Sequence, residues 1–376
     1  MTGGHPRLRV VSVQTSSEQG GAEYANVDLL DALHHRGHDV VLVTDQPDIV
    51  RGTPVPVRPI ALGPKLGRGT WLRVGVSTPL YLWRLGRVLR ELRPRTTLLH
   101  FKKEQMLTAL LPRRLTGRVV WAEWGPLPLP MRHGLPRRLY AAAARRADRI
   151  VCVSRGTADS LVEAGAPADR IEVVPNLLDV SVLAFDADAR QVLRTEWGAG
   201  PDTFVIGAVA RLHPIKRNDV IVDAMAHLDG DVLLVISGEG EDEDALRERA
   251  APYGDRVRFL PTQRGTVERF LSACDVQVFA PAPMEGAPRS ISLGQLVGIP
   301  VIATDSVGAD ELITDGTGTI VQPSHDAAAL ARVLEAYRLD TDRRAREGAA
   351  GRAVAHERHD PERVLSALER ALGPGG

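Results

Sequence analysis

"TFVIGAVARLHPIKRNDVIVDAMAHLDGDVLLVISG", residues 203 to 238, sets the architecture. An apolar run ends at Ala210, a polar turn carries Arg211 and Lys216, a helical pattern follows through "NDVIVDAMAHL", and a second apolar run closes the unit. Short apolar strands separated by a helix are the signature of a parallel crossover. The alternation continues through "RVRFL", "DVQVFAP", a helix after Pro288, "PVIATD" and "GTIVQP". It also precedes this stretch, in "RLRVVSV", a helix from Ala22 to Arg36, "DVVLVT", a long helix from Trp71 to Arg93, "TTLLHF", "RVVWAE", "RIVCVS" and "RIEVVP". The fold class is α/β, with two Rossmann-like, doubly wound parallel sheets.

The pattern breaks at "PNLLDVSVLAFDADA", where Pro175 and Asn176 end an apolar run. This places one domain at 1–183 and a second at 184–357, with helical residues from about 340 to 372 closing the chain. Its last part, 358–376, is expected to pack back on the first domain. Open parallel sheets bind ligands beyond the carboxyl ends of their strands, so a central cleft between the two domains is the expected site.

A length of 376 residues suits two domains, and no apolar run approaches the ~18 residues of a membrane span. The start, "MTGGHPRLRVVSVQ", lacks an apolar signal region, which predicts a cytoplasmic protein. Cys152 and Cys274 each sit in an apolar strand-like run without metal-ligand spacing, so buried thiols and no metal are expected. Only four of the 47 basic residues are lysine: Lys65, Lys102, Lys103 and Lys216. Such arginine-rich usage is the style of high-GC coding and suggests an actinobacterial source. Residues 51 to 149 hold 21 basic side chains against four acidic ones. That excess reads either as a surface for an anionic partner, substrate or lipid headgroup, or as solvated helix faces.

Several stretches carry candidate chemistry. Gly20 and Gly21 precede a helix whose early Glu23 suits its positive end, and they form no dinucleotide fingerprint. Arg211 and Lys216, delivered at a strand end, suit a diphosphate, unless both are merely solvated. In "MEGAPRSISLGQLVGIP", residues 284 to 300, Pro288 is placed as the first helical residue. The amides of Gly286, Ala287, Arg289 and Ser290 then open a helix and attract the same anion, and Glu285 accepts sugar hydroxyls. Strand "TTLLHF" brings His100, Lys102 and Lys103 to another strand end. Either lysine would meet an anionic acceptor, with Glu104 and Gln105 available to a hydroxyl. His100 reads as a strand-end structural residue or as a catalyst. The acidic cluster at 241 to 244 reads as the start of a helix.

At this point the chain resembles the family-4 glycosyltransferases of the GT-B fold. Glu285, Gly286, Pro288, Gly298 and Pro300 match the family's carboxylate motif, but Leu293 stands where its second acid belongs. "ADRIVCVS", "VVPN", "ARLHPIK", "VISGEG" with Gly238, "ACDVQVFAP" and "GADELI" with Glu311 match further. The resemblance implies a retaining transfer from a nucleoside-diphosphate sugar, with UDP as the expected carrier, to a hydroxyl on a small molecule or glycan. Natural-product or cell-envelope synthesis is the expected setting, with no cofactor, no nucleic acid and a possible peripheral contact with a membrane.

Under this resemblance Arg211 and Lys216 hold the diphosphate, and Glu285 with the amides after it holds the sugar. The absent acid would have gripped ribose hydroxyls, which Leu293 cannot do. In "VVWAEWGPL", Trp124 occupies a position where the family often has His. Trp124 either offers a stacking face for sugar, with Glu123 binding a hydroxyl, or packs between elements. A sugar-nucleotide 2-epimerase of the same fold and a catalytically silent binding subunit are the rival readings.

Overall fold

The computed structural model of the protein describes residues 7–15, 20–64, 71–262, 265–283, 285–323 and 325–373. Lys65 and Met284 lie outside these residues. The chain divides into two compact units, 1–178 with 361–376, and 179–360. The first unit ends at Leu178, somewhat before position 183, because Val174 and Leu177 still pack into its core and the chain then leaves it.

The first unit runs β1 (Arg9–Gln14), α1 (Gly21–His35), β2 (Asp39–Thr44), β3 (Val57–Pro59), α2 (Trp71–Leu92), β4 (Thr96–Leu99), α3 (Lys102–Ala109), α4 (Arg113–Thr116), β5 (Arg118–Glu123), α5 (Gly134–Ala144), β6 (Arg149–Cys152), α6 (Arg155–Glu163) and β7 (Ile171–Val173). Its seven strands are ordered β3-β2-β1-β4-β5-β6-β7 and all pairs are parallel. β3 lies at the edge, where its Pro59 is tolerated; Pro59, with Pro54 and Pro56 just before the strand, breaks the periodicity in the sequence.

Alternation along the strands sorts the core. Val11, Val13, Leu99 and Trp121 face α2, α3 and α5, whereas Val10, Leu98 and Val120 face the opposite layer. Each such side chain, fully buried, contributes roughly 1.5–3 kcal/mol relative to exposure.

The second unit runs α7 (Ala187–Glu196), β8 (Phe204–Val209), α8 (Asn218–Ala224), β9 (Val232–Ser237), α9 (Glu243–Ala250), β10 (Val257–Leu260), α10 (Val267–Ser272), β11 (Val276–Phe279), α11 (Arg289–Val297), β12 (Val301–Thr304), α12 (Ala309–Leu312), β13 (Gly318–Val321), α13 (Ala327–Leu339) and α14 (Thr341–Arg358). Its six parallel strands are ordered β10-β9-β8-β11-β12-β13. The helical stretch expected from about 340 to 372 is broken before Pro361, which opens α15 (Pro361–Leu372). α15 belongs to the first unit, and its Val364, Leu365 and Leu368 complete the layer that also holds α1.

Both sheets reverse their winding, the first between β1 and β4, the second between β8 and β11. Loops that leave neighbouring strands in opposite directions open a crevice at that switch point, which is where such sheets bind ligands. No helix among the described residues is long and apolar enough to cross a membrane.

Candidate functional site

In the second unit the loops after β8 and β11 bring together the residues singled out in the sequence. Ala210–Leu212 continues the strand pairing past β8: Ala210 N–H donates to the Ser237 carbonyl (3.2 Å) and Leu212 N–H to that of Glu239 (2.9 Å). Side chains at 238 and 240 would block this approach. A Cβ at Gly238 would lie 1.9 Å from the Ala210 carbonyl oxygen and one at Gly240 2.0 Å from that of Leu212. The two glycines thus set the backbone on which Arg211 rides, and Gly238 acts through space for the chain.

Lys216 ends a single 3₁₀ turn, Pro214–Lys216, whose amide at Ile215 is accepted by His213 Nδ1 (3.2 Å). Arg217 follows in the left-handed region (φ 50°) and is held there by its ion pair with Asp219 at 3.0 Å. The Ala282 amide donates to the Ile215 carbonyl (2.8 Å), tying this turn to the segment after β11. Lys216 Nζ donates to Glu285 Oε1 and lies 5.5 Å above the centre of the Phe279 ring. Both partners of this ion pair are about four-fifths withdrawn from solvent. Glu285, expected to wait for sugar hydroxyls, is therefore engaged by a cation in this state.

The bend after Glu285 is held from outside. A Cβ at Gly308 would fall 1.3 Å from the Gly286 carbonyl oxygen, and Val307 N–H donates to the Pro283 carbonyl (3.1 Å). Pro288 is the N-cap of α11 and not its first helical residue: its carbonyl accepts from Ile291 N–H (3.1 Å), and the helix begins at Arg289. The Arg289 and Ser290 amides occupy the first turn, the end of a helix that carries partial positive charge. The fully buried Gln277 donates to the Ser290 carbonyl (2.8 Å), and Gly294 admits the Gln277 side chain against the helix. Gly298, left-handed at φ 91°, ends the helix. Leu293 is half-buried and packs against the apolar cluster that contains Trp197, Val205 and Phe270. At this position the helix meets hydrocarbon.

In the first unit the expected acceptor-side residues form a polar network inside the protein. His100 is buried, and burial pushes its imidazole down to about 3, so the ring is neutral. Trp124 Nε1–H donates to His100 Nδ1 (3.1 Å), which leaves the proton on Nε2, 3.0 Å from Ser12 Oγ. The two rings are nearly parallel (interplanar angle 9°) and joined edge to edge by this bond, and Trp124 packs against the core shared by α1 and α15. The polar edge of Trp124 is thus engaged within the first unit, and its ring is partly buried there.

Lys103 is also internal, donating to the Gly63 and Pro64 carbonyls (2.6 and 3.1 Å). Lys102 pairs with Glu123, which also accepts from Gln105 (2.9 Å). Glu104 is fully buried: its Oε1 accepts from the Thr15 amide (3.1 Å) and hydroxyl. Burial raises its carboxyl to about 7, against the pull of Lys103, whose Nζ is 4.0 Å away. Sequence reasoning treated Glu104 as a group for a hydroxyl acceptor; its place next to β1 follows from tertiary packing alone. Gly20 caps α1, its amide donating to Glu23 (3.1 Å), and Gly21 is the first helical residue. Both cysteines are buried free thiols, pushed up by burial.

Comparison with known proteins bears on these geometries. Residues 19–182 match the family model described as Glycosyltransferase Family 4, and residues 189–354 match that described as Glycosyl transferases group 1. The D-inositol 3-phosphate glycosyltransferase of Nocardia farcinica is 34% identical over 273 residues, covering 66% of this chain and 57% of that protein. The GDP-mannose-dependent alpha-(1-6)-phosphatidylinositol monomannoside mannosyltransferase of Mycolicibacterium smegmatis is 30% identical over 254 residues, 64% of this chain and 65% of that one. The chain thus spans less than two thirds of the length of these curated relatives. Among solved structures, Anabaena Alr3699/HepE in complex with UDP and glucose superposes with a TM-score of 0.81 at 20% identity, covering 97% of this chain and 99% of that one. Sucrose-phosphate synthase from Thermosynechococcus elongatus superposes at 0.82 with 18% identity, covering 97% and 98%. At these identities the likeness is one of fold.

Proposed function

Because the chain belongs to the family-4 glycosyltransferases of the GT-B fold, we propose that it moves a sugar, with retention of configuration and without a metal, from a nucleoside-diphosphate sugar to a hydroxyl acceptor. The single observation that carries this reading is the Lys216–Glu285 pair beside the first turn of α11, at the switch point of the second sheet, with Arg211 on the loop that leaves β8. A guanidinium, an ammonium and helix-end amides suit a diphosphate, with charge-assisted contacts each contributing roughly 1.5–3 kcal/mol.

On this reading the second unit holds the donor and the first unit the acceptor. As the bond between sugar and diphosphate lengthens, charge grows on the leaving oxygens, and Arg211, the α11 amides and a Lys216 turned from Glu285 stabilise it. The leaving phosphate takes the acceptor proton, so no pair of catalytic carboxylates is required. Glu285 orients sugar hydroxyls once Lys216 turns to the diphosphate. UDP as carrier is supported by the fold shared with a UDP-bound protein. An anionic inositol-phosphate acceptor, in cell-envelope or natural-product synthesis, is supported by the names of the relatives.

A catalytically silent binding subunit is favoured by one observation, the hydrocarbon setting of Leu293. Assays of UDP-, GDP- and dTDP-sugars with and without inositol phosphate and other polyols separate these readings. Release of nucleoside diphosphate only when acceptor is present supports transfer. Epimer formation without acceptor, or no turnover of any donor that binds, refutes it.

A further inference from the structure

We propose that one buried water molecule, held by Gln105, Thr108 and Trp121 between α3 and β5, is a fixed part of the first unit, and that through it Thr108 and Trp121 position the Glu123 carboxylate. The water site is independent of the reaction proposed above; only its effect on turnover rests on that reading.

Glu123 closes β5 and is buried. Lys102 Nζ donates to one of its carboxylate oxygens and Gln105 Nε2 to the other (2.9 Å). What holds the Gln105 amide therefore decides where the carboxylate sits. The far end of that amide has no such partner: Gln105 Oε1 is buried and accepts no hydrogen bond from any described residue. Thr108 Oγ1 and Trp121 Nε1 are buried in the same condition, and all three residues are at most 2% exposed. Buried polar groups are ordinarily paired, because each one left unpaired forfeits the bonds it makes to water in the unfolded chain.

The three groups share one place. Gln105 and Thr108 lie one turn apart on α3, and Trp121 stands two residues before Glu123, on the same side of β5. All three line a single cavity, which gives the centre of a water-sized sphere about 10 Å³. That is room for one water and for nothing larger. Arg113 and Arg146 complete the wall, but their guanidiniums are engaged elsewhere, Arg113 with Asp148 at 2.6 Å and Arg146 with the Leu111 carbonyl at 3.2 Å.

The chemistry of the lining selects the occupant. The indole N–H only donates, the amide oxygen only accepts, and the hydroxyl does either. A cation would face the indole hydrogen, and an anion would face the amide oxygen. A water accepts from Trp121, donates to Gln105 and makes a third bond with Thr108, the usual number for a buried water. Trp121 and Thr108 thereby hold the amide in the orientation that Glu123 requires, since the amide turned over would set its oxygen against the carboxylate.

The test joins crystal structures of the parent chain, Thr108→Val and Thr108→Ser, at a resolution that shows ordered water, to denaturant unfolding of the three proteins. One water is expected in the parent within hydrogen-bond distance of Gln105 Oε1, Thr108 Oγ1 and Trp121 Nε1. Valine shares the branching and the helix propensity of threonine but has no hydroxyl. In a dry cavity it would stabilise the fold by removing an unpaired group; with water bound it takes a partner away, and the unfolding equilibrium constant should rise roughly fivefold. Serine loses a methyl group and also destabilises, yet it should keep the water and the Gln105–Glu123 bond, which should lengthen in Thr108→Val. Under the reaction proposed above, KM for inositol phosphate should then rise roughly fivefold in Thr108→Val and not in Thr108→Ser, with UDP affinity unchanged in both. An empty cavity in the parent, an ion in place of the water, or a Thr108→Val chain more stable than the parent would overturn the water site. A Gln105–Glu123 bond equally kept in both variants would overturn the positioning role. A parent chain that transfers no sugar refutes the reaction alone, and the crystal structures still decide this proposal.

Discussion

Lys216 and Glu285, 69 residues apart in the chain, form an ion pair across the loops that leave β8 and β11. Because Lys216 already has an anion, a bound diphosphate must compete with the carboxylate for it. Glu285→Gln removes the competitor and is expected to tighten UDP by about 1 kcal/mol while lowering turnover, since the sugar loses its acceptor of hydroxyl hydrogen bonds. Calorimetry paired with a donor-turnover assay checks both signs. Weaker UDP binding in this variant would mean that Glu285 does not oppose the diphosphate.

Gly308 is placed to test the bend. Its Cβ would meet the Gly286 carbonyl oxygen at 1.3 Å, a backbone atom that cannot rotate away. Gly308→Ala should cost about 1–3 kcal/mol in denaturant unfolding and weaken UDP binding together. A variant as stable as the parent with unchanged affinity would show that the bend tolerates displacement.

Leu293→Glu returns an acid to α11. We expect UDP to bind more tightly relative to 2′-deoxy-UDP in this variant than in the parent, by about 0.5–1.5 kcal/mol for one regained hydrogen bond. Some loss of stability should accompany it, because Leu293 packs against the cluster around Trp197 and Phe270. An unchanged preference between the two nucleotides would place the ribose elsewhere.

Glu104 predicts a pH dependence. Its folded value of about 7 lies above its ordinary value of 4.5. The folded state therefore binds the extra proton between those values, so stability is full below about 4.5 and declines as pH rises through about 7. Glu104→Gln abolishes that decline. The melting temperature of the variant relative to the parent should rise from about pH 5 to about pH 8, and a constant difference would show that Glu104 is already ionised in the fold.

The strands of the two sheets were legible because each is a short apolar run bounded by turn residues, and Arg211, Lys216 and Glu285 because they lie in the turns between such runs and the next helix. β3 was not legible, since Pro54, Pro56 and Pro59 in and before it interrupt the period that marks a strand. Nor was the setting of Trp124: its partner His100 lies on a different strand end, and only the pairing of β4 with β5 brings the two rings together. The role of Gly308 was hidden for the same reason, because close approach of two backbones leaves no mark in local sequence. Pro288 was read one position too far into its helix, a one-residue shift between cap and first turn that the sequence alone does not resolve.

The proposed reaction requires the diphosphate to bind at Arg211 and Lys216. Titration of UDP into the parent chain, Arg211→Ala and Lys216→Ala by calorimetry tests this most directly. We predict that each substitution weakens binding roughly tenfold or more, with melting temperatures close to that of the parent. Equal affinity in all three proteins would contradict it.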